Sequence, residues 1–289
     1  MTAVARCVAV LALGGLGVVG CKERLPQTAS SGEAGVKHGP AVGGSPMAAA
    51  GSEDEKGGAA ERGAAPPAVV VELFTSEGCS SCPPADAILR RIATDMAGRG
   101  VVALSFHVDY WNGLGWPDPF SAPAYTTRQE AYARALGGSG LYTPEMVVGG
   151  RDAFVGSDQS HALASIEKAL ARPPAASITL EASVEAGRTV AASYVVRGAG
   201  TGALLHVAIA ERGIVSHVAR GENAGRTLQH ENVVRAFQTL RLPSTLRGRV
   251  RIELPASADL RRSMLAAFVQ EPSSMEILGA AREELAPGE

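Results

Sequence analysis

Cysteine is scarce in this 289-residue chain: there are four, and two of them, Cys7 and Cys21, fall in the leader. The remainder holds a single pair, Cys79 and Cys82, and no second Cys-x-x-Cys. That lack argues against a structural zinc site, which needs two more Cys or His ligands at close spacing. An excess of one charge is missing too, since 27 Lys and Arg against 29 Asp and Glu leave a net charge of −2. No electrostatic reason to bind nucleic acid follows from that balance. The leader's apolar run, Cys7–Gly20, is 14 residues long, short of the ~20 that a spanning helix needs. Behind the basic Met1–Arg6 stretch it reads as a signal-peptide core occupying residues 1–20. Residues 22–67 lack any aromatic residue or Ile, so they cannot bury enough apolar surface to order themselves. They read as a flexible tether (21–67 with Cys21) reaching about 40 Å on average.

What is present is concentrated in Val69-Val70-Val71-Glu72-Leu73-Phe74-Thr75-Ser76-Glu77-Gly78-Cys79-Ser80-Ser81-Cys82-Pro83-Pro84. A β-branched apolar run predicts a buried strand, a polar turn ends at Gly78, and helix period begins near Ala85. The dithiol therefore falls at a strand-to-helix junction. Free N–H groups and the helix dipole there stabilise a thiolate and lower its pKa. Pro83 and Pro84 suit a first turn, where a missing N–H costs nothing. Two thiols one turn apart, one exposed and one tucked inside, suit thiol–disulfide exchange. A static disulfide is the plain alternative, although over so short a loop it would stabilise little.

Val101–Val108 predicts a second buried strand parallel to the first through a right-handed crossover. His107, Asp109, Tyr110 and Trp111 then fall near Cys79, on the sheet edge where α/β proteins place their sites. His107 could stabilise the Cys79 thiolate or carry a proton to the leaving sulfur, or be a strand-end histidine satisfied by backbone. Asp109 orients His107 or caps a loop. Trp111 and Trp116 are packing residues or a platform for a protein substrate. A Trp-, Pro- and Gly-rich loop, a helix to Leu136, Thr143-Pro144 before an apolar strand, a short strand Asp152–Val155 and a helix Ser160–Ala171 follow. After Pro174 the pattern becomes short alternating strands with turn signals, which predicts an antiparallel, immunoglobulin-like β-sandwich. Within it lies a polar stretch, Arg220–Arg235. It is either a solvated hairpin loop or a loop packed against the dithiol edge.

These motifs in this order resemble the thioredoxin superfamily. The resemblance implies Cys79 as attacking thiol, Cys82 as resolving thiol, and a cis Thr143–Pro144 bond facing them. In the reading that follows, Pro144 joins Cys79, Cys82 and His107 as a catalytic residue and docks the substrate backbone with its strand edge, Thr143, Glu145 and Trp111 are candidate substrate-binding residues, and Glu72, Glu77 and Asp109 are candidate accessory residues. The spacing of Phe74–Cys79 looks closer to glutaredoxins, and Glu72 stands one residue out of register with thioredoxin's buried acid. More narrowly, Glu72–Asp86, His107–Asn112 and Tyr142–Met146 resemble an uncharacterised bacterial family of secreted proteins, classed only as a domain of unknown function. The end of the leader, Val18-Val19-Gly20-Cys21, resembles a lipobox, which implies lipidation of Cys21, with Lys22 leaning toward the outer membrane.

The expected architecture is thus an α/β thioredoxin-like domain (68–173) followed by an antiparallel β-sandwich domain (175–287). The expected function is an exported periplasmic or cell-surface lipoprotein acting as a thiol–disulfide oxidoreductase. It meets the membrane only through an N-terminal anchor, needs no cofactor beyond the Cys79–Cys82 disulfide, and acts on proteins or small molecules carrying thiols or disulfides. A copper-handling protein is the alternative, with Cys79, Cys82 and His107 as Cu(I) ligands. A non-catalytic binding module is the third reading.

Overall fold

The computed structural model describes residues 69–285. The expected signal peptide, the tether and Cys21 lie outside the described residues. The uninterrupted apolar run forms β1 (Val69–Thr75), and the dithiol turn leads into α1 (Pro83–Asp95). This helix buries Ala85, Leu89 and Ile92 on one stripe and carries its two prolines in the first turn. There follow β2 (Val101–His107), α2 (Pro123–Leu136), β3 (Glu145–Val148), β4 (Asp152–Val155) and α3 (Gln159–Leu170). Beyond residue 174 the described chain has strands and two short 3-10 turns but no α-helix: β5 (Ser177–Glu185), β6 (Thr189–Arg197), β7 (Leu204–Glu211), β8 (Ile214–His217) and β9 (Thr227–His230). β10 (Val233–Arg241), β11 (Arg247–Glu253), β12 (Ser263–Gln270) and β13 (Ile277–Glu284) complete it. None of the described helices is long and apolar enough to cross a membrane.

The architecture overturns the expected α/β domain with a β-sandwich appended. The described residues are mostly strand with three α-helices, and one mixed eight-stranded sheet runs in the order β13-β12-β7-β10-β2-β1-β3-β4. β1 and β2 pair in parallel, as their sequence predicts, and β1–β3 and β3–β4 pair antiparallel. β2 is buried along its whole length, so leaving it as an open edge would strand unpaired backbone groups. β10 covers that edge: Val233 pairs with Ser105, whose N–H donates to Asn232 O at 2.9 Å, and β7, β12 and β13 continue the sheet. A three-stranded sheet, β11-β6-β5, packs on this second half.

Burial follows from that layering. β7 and β12 are covered on both faces: Leu205, Val207, Ile209, Leu265 and Val269 meet the three-stranded sheet, while Ala208, Ala210, Met264 and Phe268 join the other core. Each fully buried Leu, Ile or Phe contributes about 1.5–3 kcal/mol. Gly150, at φ +68°, ends the β3–β4 turn against β13, where an added Cβ would collide with the Met275 carbonyl. On the α2 side Arg128 is buried against Glu72 through two bonds of 2.7 Å, and against Tyr132 and Gln270 at 3.0 and 3.1 Å. Its guanidinium lies 5.1–5.7 Å from the ring centres of Phe106, Tyr132, Phe237 and Phe268. Glu72, expected as an accessory to the dithiol, is instead half of the ion pair that fastens β1 to α2 and β12.

Candidate functional site

The C-terminal ends of β1 and β2 carry the site, as parallel pairing requires. Thr75 stands beside His107 in the register. The chain leaves β1 through Ser76–Gly78 and turns at Cys79, whose N–H donates to Ser76 O at 3.1 Å. Cys82 takes the N-cap position of α1, and the two cysteines are joined as a disulfide with Cα atoms 5.5 Å apart. Gly78 lies against Trp111, where a Cβ would sit 3.2 Å from Trp111 Cβ, so any side chain there would press on the tryptophan.

The Thr143–Pro144 bond is cis, as the resemblance implied. The Thr143 carbonyl lies 3.8 Å from Cys79 Sγ and accepts a bond from Ser81 Oγ at 3.4 Å. Trp111 Nε1 donates to Thr143 Oγ1 at 2.8 Å. Cys79, Cys82, Thr143, Pro144 and Trp111 are therefore gathered at one place. Both cysteines are nonetheless 0% exposed, which corrects the expectation of one exposed sulfur. Tyr110, Leu114, Leu141 and Tyr142 are exposed; Tyr110 adjoins Trp111, and Leu141 and Tyr142 lead directly into Thr143.

Beneath the turn lies a buried cluster of five titratable side chains: Glu77, Asp86, His107, Asp118 and His230. His107 Nδ1 meets Asp118 Oδ2 at 2.7 Å, and the same oxygen accepts the Glu77 N–H at 2.8 Å. His230 Nε2 reaches Glu77 Oε1 at 3.3 Å, and Trp116 Nε1 donates to Glu77 Oε2 at 2.7 Å. Asp86, four residues after Cys82 on α1, accepts from Thr75 Oγ1 at 2.9 Å and faces His230 Nδ1 at 3.7 Å. The two imidazoles stand edge to face with centres 4.8 Å apart.

Burial would push the His107 imidazolium pKa down, but Asp118 beside it outweighs that and holds it above the ordinary value. Asp118 is held low by the same pairing despite its own burial. Glu77 is also held low: its burial is outweighed by bonds from His230, Ser216 and Trp116. Asp86 goes the other way, raised by burial beyond what its neighbours restore. One carboxyl that holds its proton more tightly than usual beside two that hold theirs less tightly is the kind of division found where protons are handled.

The signs give a stability prediction. Folding raises the Asp86 pKa, so the folded state holds the extra proton and Asp86's contribution declines as pH rises from about 4. Asp118 has the opposite sign, stabilising above about 4 and losing that contribution on acidification. Asp86→Asn should therefore melt higher relative to wild type at pH 8 than at pH 4. Parallel thermal melts at the two pH values check this, and an unchanged difference would refute it.

The other expected site residues are placed elsewhere. Asp109 exchanges bonds with Thr126 and anchors α2, so it is Asp118 that orients His107. Glu145 is buried and accepts from Gln129 Nε2 at 2.7 Å, which occupies the carboxylate expected to meet substrate. Among the described residues no group of three or more His, Cys, Asp or Glu side chains is placed to hold a metal ion. Sequence reading missed Asp86, Asp118, Glu222, Asn223 and His230. The one available signal was the polar stretch 220–235, and it does pack on the dithiol turn. Asn223 Nδ2 donates to the carbonyls of Glu77 and Cys79, each at 2.9 Å.

Fold and site together define a β-rich protein that holds a Cys-x-x-Cys disulfide at a strand-to-helix junction, opposite a cis proline and above a buried acid–histidine cluster. The chain belongs to the family described as "Protein of unknown function (DUF1223)", which matches residues 70–270. It is similar to the crystal structure of protein AGR_C_4864 from Agrobacterium tumefaciens, at 33% identity over 76% of this chain and 96% of that one, with a TM-score of 0.57. HBP35 of Porphyromonas gingivalis shares the fold at 16% identity, covering 78% of this chain and 77% of its own, with a TM-score of 0.56. No curated protein matches the sequence.

Proposed function

We propose that this chain is an exported thiol–disulfide oxidoreductase, lipid-anchored through Cys21, that acts on proteins carrying thiols or disulfides. The observation that carries the reading is the pairing of the Cys79–Cys82 disulfide at the start of α1 with the cis Thr143–Pro144 segment, whose carbonyl stands 3.8 Å from Cys79 Sγ. The likeness of that pairing to the thioredoxin superfamily supports it. So does the placement of perturbed acids below the turn.

In the reduced protein the Cys79 thiolate attacks one sulfur of a substrate disulfide, forming a mixed disulfide and releasing the other sulfur as a thiolate. Cys82 then attacks Cys79 Sγ, the substrate's second sulfur departs, and the Cys79–Cys82 bond reforms. Two electrons pass to the substrate in all, and the sequence runs in reverse when the protein acts as oxidant. Because the sulfurs are covered, exchange with a polypeptide requires the rim of Trp111, Thr143 and Ser81 to part. The exposed Tyr110, Leu114, Leu141 and Tyr142 offer apolar contacts to an unfolded or extended protein segment.

The test is the reduction potential of the pair, followed by alkylation in glutathione buffers. A value between about −120 and −270 mV, where known oxidoreductases lie, is the expected result. A pair that stays oxidised below about −300 mV would overturn the proposal in favour of a structural disulfide.

A further inference from the structure

The β8–β9 hairpin carries a second set of groups to the dithiol, from more than 130 residues further along the chain. Its tip is braced from within: Val218 N–H donates to Arg226 O at 3.0 Å, and Gly225 N–H to Val218 O at 2.8 Å. Arg226 Nη1 donates to Asn223 Oδ1 at 2.7 Å, which fixes the amide so that both Nδ2 hydrogens serve the Glu77 and Cys79 carbonyls. Asn223 is fully buried in this position. Beside it, Glu222 Oε2 accepts the Ser80 N–H at 3.0 Å. Gly221, at φ +79°, brings the tip against Trp116, where a Cβ would stand 3.1 Å from Trp116 Cβ.

Ser80 lies between the two cysteines, so its N–H is among the amides that could stabilise a Cys79 thiolate. Glu222 occupies that donor and so puts a carboxylate on the amide of the residue next to Cys79. Bonding to Ser80 holds the Glu222 carboxyl below its ordinary range, so it is charged at neutral pH. In the disulfide Cys79 has no charge to repel, and the penalty falls on the reduced state alone.

We propose that Glu222, held in place by the Asn223–Arg226 brace, is a positioning residue that sets the redox poise of the Cys79–Cys82 pair by disfavouring the Cys79 thiolate. The inference rests on the oxidoreductase reading above. The reaction that reports it is reduction by glutathione at a pH where Cys79 ionises: two glutathione thiols give up two electrons and two protons, becoming glutathione disulfide, Cys82 takes one proton to become a thiol, Cys79 becomes a thiolate, and the second proton passes to the buffer.

The test uses Glu222→Gln, which keeps the length and an acceptor for Ser80 but removes the charge; Glu222 is exposed, so the fold is not at risk. At low salt the glutathione equilibrium should move toward the reduced pair by up to about fivefold, the effect a unit charge would have in water if it stood about 4 Å away. At about 30 mV per tenfold that is about 20 mV. The pH profile of Cys79 alkylation should shift to lower pH, and both differences should shrink as salt rises. Asn223→Ala, which frees the hairpin tip, should move the equilibrium the same way and add little on top of Glu222→Gln. An unchanged equilibrium and alkylation profile in Glu222→Gln would overturn the inference, as would full additivity of the two changes. A wild-type pair inert in glutathione buffer would overturn the inference together with the oxidoreductase reading, and that outcome is visible before any variant is made.

Discussion

Arg128→Ala is expected to lower the free energy of unfolding by about 3–5 kcal/mol, the usual cost of removing one partner from a buried ion pair. Glu72 would be left fully buried beneath α2 with only the Tyr132 hydroxyl at 3.0 Å to answer its charge. The loss would also empty the space between Phe106, Tyr132, Phe237 and Phe268 that the guanidinium now fills. Against a typical total of about 5–15 kcal/mol, that is enough to bring the protein near unfolding. Urea denaturation of wild type and variant provides the measurement. Replacing Arg128 and Glu72 together by apolar residues of similar volume should recover most of the loss, since the penalty comes mainly from the orphaned charge. A single variant within about 0.5 kcal/mol of wild type, the range of ordinary surface changes, would show that the Glu72–Arg128 pair does not hold the fold together.

Cys79→Ser and Cys82→Ser should separate the two thiols. Loss of Cys79 removes the proposed nucleophile at the position facing Thr143, and disulfide reduction should fall to the background of the buffer thiols. Loss of Cys82 leaves Cys79 able to attack but unable to be resolved, so mixed disulfides should accumulate as adducts that disappear on adding reductant. Non-reducing electrophoresis and mass spectrometry of the protein would show them. If Cys82→Ser captures no partner and Cys79→Ser keeps full activity, the exchange mechanism is wrong. The Cys82 variant should also expose whatever docks on Tyr110, Leu114, Leu141 and Tyr142, because the captured segment stays bonded beside them.

The dithiol's setting was legible because everything that defines it is local. The β-branched run before it, the glycine turn and the two prolines after it act within about sixteen residues, and each has a direct meaning for backbone conformation. The Thr143–Pro144 segment was legible only through family resemblance, since a proline before a strand does not reveal its isomer. Glu72 and Asp109 were misplaced for one reason: strand and loop positions indicate nearness to the site in sequence, whereas facing direction depends on what packs above and below. Glu72 points to the α2 side and meets Arg128; Asp109 meets Thr126 at the start of α2.

The sequence by itself determined where the one Cys-x-x-Cys pair falls, between an apolar run and a helix-period stretch. It also determined a parallel strand pair with Cys-x-x-Cys between them, and a strand-rich remainder. Local period and turn chemistry suffice for that, because they depend on neighbours a few residues away. Only the tertiary structure decided that β10 closes the edge of β2, merging what read as two domains into one sheet. It alone placed His230, Glu222 and Asn223 at a dithiol more than 130 residues earlier, and it alone covered both sulfurs. Those outcomes depend on which buried edge pairs with which distant strand. A hydrophobic pattern records that a strand is buried, but carries no record of the partner that buries it.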